Sequence, residues 1–387
     1  NDMIGVNATG AYSLPGYEVT NKGEISIKGN SAGIYVANGA EALNDTSGKI
    51  RIGEKSVGMY GDPAGNNSAI VNNGEISLNG LSAVGMYGKI TGAGTLTVNN
   101  TGIIKSEKDS SNNYYTGTLG MVLENTAITA TNSGSIDLRG NGSIGVYNKD
   151  GKFEMTNGSI YVDGNKSVGV YSNVNTTLYP ASQTKVTLGT VEAQGTGSIA
   201  LYAEKSSGSD TIIGLGNNVN IKASNGALAF YTSIDAGNNP TGHFNIANAS
   251  DTVNVEIGSN GTAFYYKGLN TSANVQTFLG NMITGLGTMN LKLTDSNSRL
   301  LILEPVGGGV INLSSLGTGS GLLPSRIVID PSSVTNYKIL QVNKGNLNID
   351  DNVNLDSSND PYNRTDFSSS TVTLASGKSI TGTLNDQ

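Results

Sequence analysis

One short unit returns along this chain at a spacing that calls for a repeat architecture. Lys55-Ser56-Val57-Gly58-Met59-Tyr60 is matched by Ser31-Ala32-Gly33-Ile34-Tyr35, Ala83-Val84-Gly85-Met86-Tyr87, Ser143-Ile144-Gly145-Val146-Tyr147 and Ser167-Val168-Gly169-Val170-Tyr171. Looser copies end at Tyr202, Tyr231 and Tyr265, and a degenerate one, Thr118-Leu119-Gly120-Met121-Val122, fills the gap in the series. From Tyr35 onward the copies end 25, 27, 35, 25, 24, 31, 29 and 34 residues apart. A unit of that length cannot bury its apolar residues alone, but stacked on its neighbours it can.

A second unit precedes each copy. It reads Asn72-Asn73-Gly74-Glu75-Ile76-Ser77-Leu78 and recurs at Asn21–Ile27, Thr46–Ile52, Asn132–Leu138 and Thr156–Val162. The apolar-polar-apolar ending marks a half-buried strand, and Asn-x-Gly supplies a turn able to take positive φ. A fainter third strand is expected at Ser68–Val71, Thr95–Val98, Ala127–Ala130, Lys152–Met155 and Thr184–Leu188. No stretch carries helical periodicity for more than a turn or two. Three short strands per coil of about 25–30 residues predict an all-β fold, a right-handed parallel β-helix, the hand being that of nearly all parallel crossovers. The 387 residues make roughly 14 coils and a rod on the order of 65 Å long. Residues 1–290 read as regular coils and 291–387 as continued, less regular β-helix with longer loops and no clear boundary. Asp2-Met3-Ile4-Gly5-Val6-Asn7 aligns with the repeat, so the chain is expected to begin inside a coil, as a fragment would.

The chain has no Cys, no Trp, one His and a net charge of −7. Thiol chemistry and disulfides are excluded, and the lack of a Lys/Arg cluster argues against nucleic acid as a partner. No apolar run approaches the roughly 18 residues of a membrane span. No cofactor or metal is expected, since dinucleotide, P-loop and repeated Ca²⁺-binding motifs are missing.

The paired units, turn-Gly-x-Ile-x-Ile/Leu followed by Ser/Ala-x-Gly-Ile/Met/Val-Tyr, resemble the repeats of the large type V autotransporter adhesins of fusobacteria. The resemblance is clearest from Asn21 to Tyr171 and fades toward Tyr265. It implies an extracellular passenger segment, monomeric, held at the outer membrane by a C-terminal β-barrel. It also implies attachment to a host-cell or bacterial surface receptor, glycan or protein, without catalysis. A passive stalk whose binding site lies elsewhere is the first alternative, and a polysaccharide-cleaving enzyme the second.

For catalysis the sequence offers little. Asp350-Asp351 is the one adjacent acidic pair, Glu107 and Asp109 sit in a polar insertion, and His243 has no evident partner; a glycosidase needs two carboxylates flanking its bond. Binding is better served by Tyr60, Tyr87 and their equivalents. Alternation places Val57 and Met59 on the core face and Gly58 and Tyr60 outward. Stacked coils would then align the rings, either as a strip for sugars or protein, or as a ladder packed at a corner of the coil. Insertions that lengthen the period are the other candidates, because repeat proteins carry function in loops that leave the stack. One insertion holds Asn112, Asn113, Tyr114 and Tyr115; another holds Tyr179.

Overall fold

The computed structural model describes residues 9–13, 16–175, 184–205, 210–234, 239–267, 275–304, 310–312, 314, 323–335, 337–343, 345–354, 365–366 and 371–382. Each coil lays down three strands, as in Ser68–Asn72, Glu75–Leu78 and Val84–Lys89. Each strand pairs in parallel with its counterpart one coil away. The result is three long sheets of 10, 11 and 13 strands, here the first, second and third faces of a parallel β-helix. Twelve steps between the 13 strands of the third face give a rod about 58 Å long.

In-register pairing turns each repeated position into a column. Ile34, Met59, Met86, Met121, Val146, Val170, Leu201, Phe230, Phe264 and Leu301 follow one another on the third face. Ile50, Ile76, Ile104, Ile136 and Ile160 do so on the second. All of these are fully buried. At roughly 1.5–3 kcal/mol per buried aliphatic or aromatic side chain, these columns are the main source of stability.

The third-face strand departs from simple alternation. Val57 is half-buried, Gly58 and Met59 are both buried, Tyr60 is half-exposed and Gly61 is buried again. Gly58 therefore does not point outward beside Tyr60, and Val57 is not a core residue, contrary to the alternation read from sequence. Two consecutive inward positions bend the strand at a corner. A Cβ on Gly58 would sit 2.6 Å from the Gly85 carbonyl oxygen and 2.9 Å from the Ile76 side chain. The same clash recurs at Gly33, Gly85, Gly120, Gly145 and Gly169. The glycine column thus marks close approach of backbone to backbone between coils. From Ala200 onward the column switches to alanine, through Ala229 and Ala263, all fully buried.

The turn between first and second faces also differs from expectation. Gly74, Gly102 and Gly134 do not have positive φ; Gly158 and Gly189 do, at 84° and 108°. What excludes a side chain at Gly102 is the Gly74 carbonyl oxygen, which a Cβ would approach to 2.1 Å. The Asn of the motif has its own task. Asn21 donates to Asn44 (2.8 Å), Asn44 to Asn72 (2.7 Å), Asn72 to Asn100 (2.8 Å) and Asn100 to Asn132 (2.7 Å), each Nδ2 to the next Oδ1. This amide ladder is buried, so its partners cannot be replaced by water. It ends where Met155 pairs with Asn132.

At the N-terminal end, Thr9–Ser13 pairs with Ala32–Val36 so that Tyr12 stands opposite Tyr35. The place opposite Tyr35 is therefore taken by Tyr12 of Gly10-Ala11-Tyr12 and not by Asn7; Asp2 to Asn7 lie outside the described residues. Toward the other end an element not expected from the sequence appears, the helix Val275–Met282. It is two turns long, too short for a periodic signal. Phe278, Leu279 and Met282 plug into the core, and the Phe278 ring stacks on Tyr266 at 3.8 Å. The first face ends just after it at Ile283–Gly285, while the second continues to Ile327–Ile329 and the third to Thr365–Asp366. Val310–Asn312, Asn346–Ile349 and Thr371–Leu374 form a separate three-stranded parallel sheet.

Asn72→Ala leaves one of the two Asn44 amide N–H groups and the Asn100 side-chain oxygen buried without their ladder partner. It is expected to cost about 2–4 kcal/mol in denaturant unfolding. Exposed Asn67→Ala, at the residue just before the same strand, should change stability by less than about 0.5 kcal/mol.

Candidate functional site

The outward residues of the third face obey the same register as the core. Tyr35, Tyr60, Tyr87, Val122, Tyr147, Tyr171, Tyr202, Tyr231 and Tyr265 lie one above another. Every tyrosine of this set is half-exposed. Ring centroids are 5.3 Å apart for Tyr35–Tyr60, 5.2 Å for Tyr60–Tyr87, 4.9 Å for Tyr147–Tyr171, 5.1 Å for Tyr171–Tyr202 and 4.9 Å for Tyr202–Tyr231. The rings pack on each other and still present an edge to solvent. Each neighbour pair is worth about 0.5–1.5 kcal/mol beyond burial, so the ladder is at once a structural and a solvent-facing feature.

Carboxylates hold the phenol ends. Tyr87 donates to Glu124 at 2.7 Å, Tyr60 to Asp62 at 3.4 Å, Tyr171 to Glu204 and Tyr265 to Glu304. Glu124, Glu204 and Glu304 each sit two residues beyond the tyrosine position of the next coil, hence on the same outward face. Burial first, and then the neighbouring carboxylates, raise these phenols: Tyr60 to about 12, and Tyr87, Tyr171 and Tyr265 well above the ordinary value. Tyr202 rises to about 12, by burial first. The strip is thus a row of hydroxyls that hold their protons well past the pH at which a free phenol loses its own.

The insertion after the second-face strand Ile103–Ser106 folds into a small hairpin. Lys108 and Tyr114 form an antiparallel bridge, the Asp109 carboxylate accepts from the Ser111 and Asn113 amides at 2.8 and 2.9 Å, and Asn112 turns the tip at φ 65°. Tyr114 lies under the Lys108 ammonium at 4.9 Å, with the Arg139 guanidinium 5.9 Å from its ring. Arg139 also lies 5.1 Å from the Tyr161 ring and is held by a two-pronged bond to Asp137, both contacts 2.9 Å. The base is pinned by Lys105, 3.3 Å from Glu75 and 3.1 Å from Glu107. Tyr114 is therefore a clamp for the hairpin. Asn112 and Asn113 are exposed at its tip, and Tyr115 is half-buried.

The seven residues singled out from sequence thus divide. Tyr60 and Tyr87 join in the ladder, Asn112, Asn113, Tyr114 and Tyr115 in the hairpin, and Tyr179 lies outside the described residues. Sequence reasoning missed Glu124, Glu204 and Glu304, although their place two residues after the repeat position was available. It also missed Arg139 and Tyr161, whose link to Tyr114 crosses from the second face to the hairpin and leaves no local trace. The acidic residues weighed for catalysis are engaged in turns: Asp350 accepts from Ser314 and Asp109 organises the hairpin. His243 lies 3.2 Å from Asp210 and 2.7 Å from the Asn281 carbonyl oxygen, joining the first face to the helix. Among the described residues no three His, Cys, Asp or Glu side chains converge as a metal site requires.

The raised phenols make an alkaline prediction. Unfolded tyrosine ionises near 10. The folded ladder keeps its protons to about 12 at Tyr60 and Tyr202, so the unfolded state loses protons first. Stability contributed by the ladder is complete below pH 10 and is lost as pH rises from about 10 to 12. Tyrosinate absorbance should show a class of phenols ionising near 12 in the folded chain, and replacing Tyr60 and Tyr202 by Phe should flatten the alkaline loss.

A scan against family models finds no match, and neither the curated proteins nor the solved structures contain a significant match to this chain.

Proposed function

We propose that this chain is a surface-displayed adhesive rod, the exported passenger segment of a type V autotransporter at the bacterial outer membrane. It attaches to a host-cell or bacterial receptor and carries out no reaction. The observation that carries the reading is the tyrosine strip: at least eight half-exposed phenols stand in one column along the rod. Aromatic rings with a polar tip give large contact area at low entropic cost, and they recur in surfaces that bind sugars and proteins. The absence of cysteine and the local coil-by-coil contacts suit a chain that folds after export, without oxidation. Binding rather than turnover is supported by the carboxylates, which are engaged with phenols, ammoniums and turn amides.

Two experiments test the reading. The purified chain is applied to an array of glycans and surface receptors, and used as a soluble competitor of cell and bacterial attachment. Specific binding and competition are expected, with Tyr60→Ala/Tyr87→Ala weakening both by about tenfold or more. A chain that neither binds nor competes is a stalk. Robust release of reducing sugar ends from polysaccharide would contradict the non-catalytic reading.

A further inference from the structure

A second outward column runs beside the tyrosine strip, two residues further along each strand. From coil to coil it reads Ala37, Asp62, Lys89, Glu124, Lys149 and Asn173, following Tyr35, Tyr60, Tyr87, Val122, Tyr147 and Tyr171. Its charge order is neutral, minus, plus, minus, plus, neutral. None of the six is buried, and both lysines are exposed.

Within the chain these charges do not satisfy one another. The Asp62 carboxylate accepts from the Thr91 amide and hydroxyl, both at 3.0 Å, and Glu124 accepts the Tyr87 phenol at 2.7 Å. Asp150, next to Lys149 at the turn, accepts from the Asn175 amide at 3.1 Å. Among the described residues the side chains of Lys89 and Lys149 make no ion pair and no hydrogen bond, although Lys89 is the register neighbour of Glu124. On the second face the equivalent attraction is used: Arg51 pairs with Glu24, Lys105 with Glu75 and Lys222 with Glu256, each one coil away. The alternating column therefore keeps two ammoniums, and the remaining lone pairs of its carboxylates, for something outside the chain.

We propose that this face binds a second copy of the chain, antiparallel, about a two-fold axis lying between the coils of Tyr87 and Val122. A row of even length with alternating sign is its own complement when reversed. A two-fold axis perpendicular to the rods performs that reversal and sets each column against itself. Asp62 then meets the second copy's Lys149 and Lys89 its Glu124, each pair formed twice, while neutral Ala37 meets neutral Asn173. A parallel pair at equal height would set each charge against its own sign. Exposed ion pairs add little affinity, but they select partner, direction and register. The contact area comes from the tyrosines: the same reversal places Tyr35 opposite Tyr171 and Tyr60 opposite Tyr147. Six coils span about 24 Å, so one contact is small and weak, and many rods on one surface would add their contacts by multivalency. Antiparallel is the direction in which rods standing on two facing cells meet, so the consequence is attachment between cells that carry the same chain. The dimer stands on the charge order, and only that consequence rests on reading the chain as a displayed adhesive rod. It departs from the monomer that the family resemblance implies.

The test uses the whole chain in solution at low salt, with sedimentation equilibrium as the readout. The native chain is expected to dimerise with a Kd on the order of 10–100 µM. Lys89→Glu/Lys149→Glu sets four like-charged pairs against each other and should weaken the dimer by about tenfold or more. Asp62→Lys/Glu124→Lys should do the same, and an equal mixture of the two variants should regain the native affinity, because their columns are again opposite. Direction is read separately by zero-length carbodiimide cross-linking. Asp62 and Lys149 lie three strand spacings apart within one chain, about 14 Å, so a link between them forms only between two copies. If the Asp62→Lys/Glu124→Lys chain fails to fold, the lysine variant and the cross-link decide. A native chain that stays monomeric at about 1 mM, a lysine variant that dimerises as tightly as the native chain, or a dimer without the Asp62–Lys149 link each overturns the proposal. Clumping of cells that display the chain separates this from the wider reading. A dimer in solution without clumping would sink the adhesive consequence and leave the dimer, and a monomeric chain that still attaches to receptors would sink the dimer alone.

Discussion

Everything in this molecule depends on parallel pairing of each strand with its counterpart one coil away, without slippage. A slip of one residue would exchange inward for outward side chains along an entire strand. The columns prevent this from within. Ile50 to Ile160 and Met59 to Met121 match in size from coil to coil, so an offset coil would leave voids and clashes together. The amide ladder from Asn21 to Asn132 adds direction, since each buried Asn must meet the next to satisfy both its donor and its acceptor. The glycine column shows how close the coils come: at Gly58 the neighbouring carbonyl occupies the space a methyl group would need.

The outward surface inherits this register without contributing most of the stability. A residue type repeated at one outward position becomes a strip, and tyrosine is the type repeated here. Glu124, Glu204 and Glu304 fix the phenols of the preceding coil, so the strip keeps a defined shape. Individuality then enters where repetition fails. Between Tyr87 and Val122 the coil is lengthened by the hairpin that Lys108, Arg139 and Tyr161 clamp around Tyr114, and the same coil carries the break in the ladder. Two departures from the repeat thus fall in one turn of the helix.

The fold was legible because it is periodic. The spacing of Tyr35, Tyr60 and Tyr87 predicts the register that the third face adopts, and the alternation in Glu75-Ile76-Ser77-Leu78 predicts the second face. Short-range rules failed where contacts between coils decide the geometry. Gly58 reads as an outward partner of Tyr60 by alternation, but a corner makes it the inward partner of Gly85. Asn-x-Gly reads as a flexible turn, yet its Asn belongs to a buried ladder formed with residues some 28 positions away, as in Asn72–Asn100. The helix Val275–Met282 was invisible because two turns carry too little periodicity. The candidate site was half legible: the tyrosines announce themselves by recurrence, whereas Arg139 and Tyr161 meet Tyr114 only through folding.

The most direct test of in-register stacking uses the cysteine-free chain as a ruler. Ser47, Asn157 and Ser250 are exposed turn residues before second-face strands that lie four and seven steps along the sheet from the first of them, Ser47 and Asn157 in register and Ser250 two residues before the matching position. Nitroxide labels on Ser47→Cys/Asn157→Cys and Ser47→Cys/Ser250→Cys, read by pulsed electron paramagnetic resonance, should report about 19 Å and about 34 Å, each with a narrow spread. The difference of about 14 Å is three strand spacings. Two similar distances, or a broad distribution for the longer pair, would contradict stacking at one coil per spacing, and with it the tyrosine ladder and its carboxylate anchors.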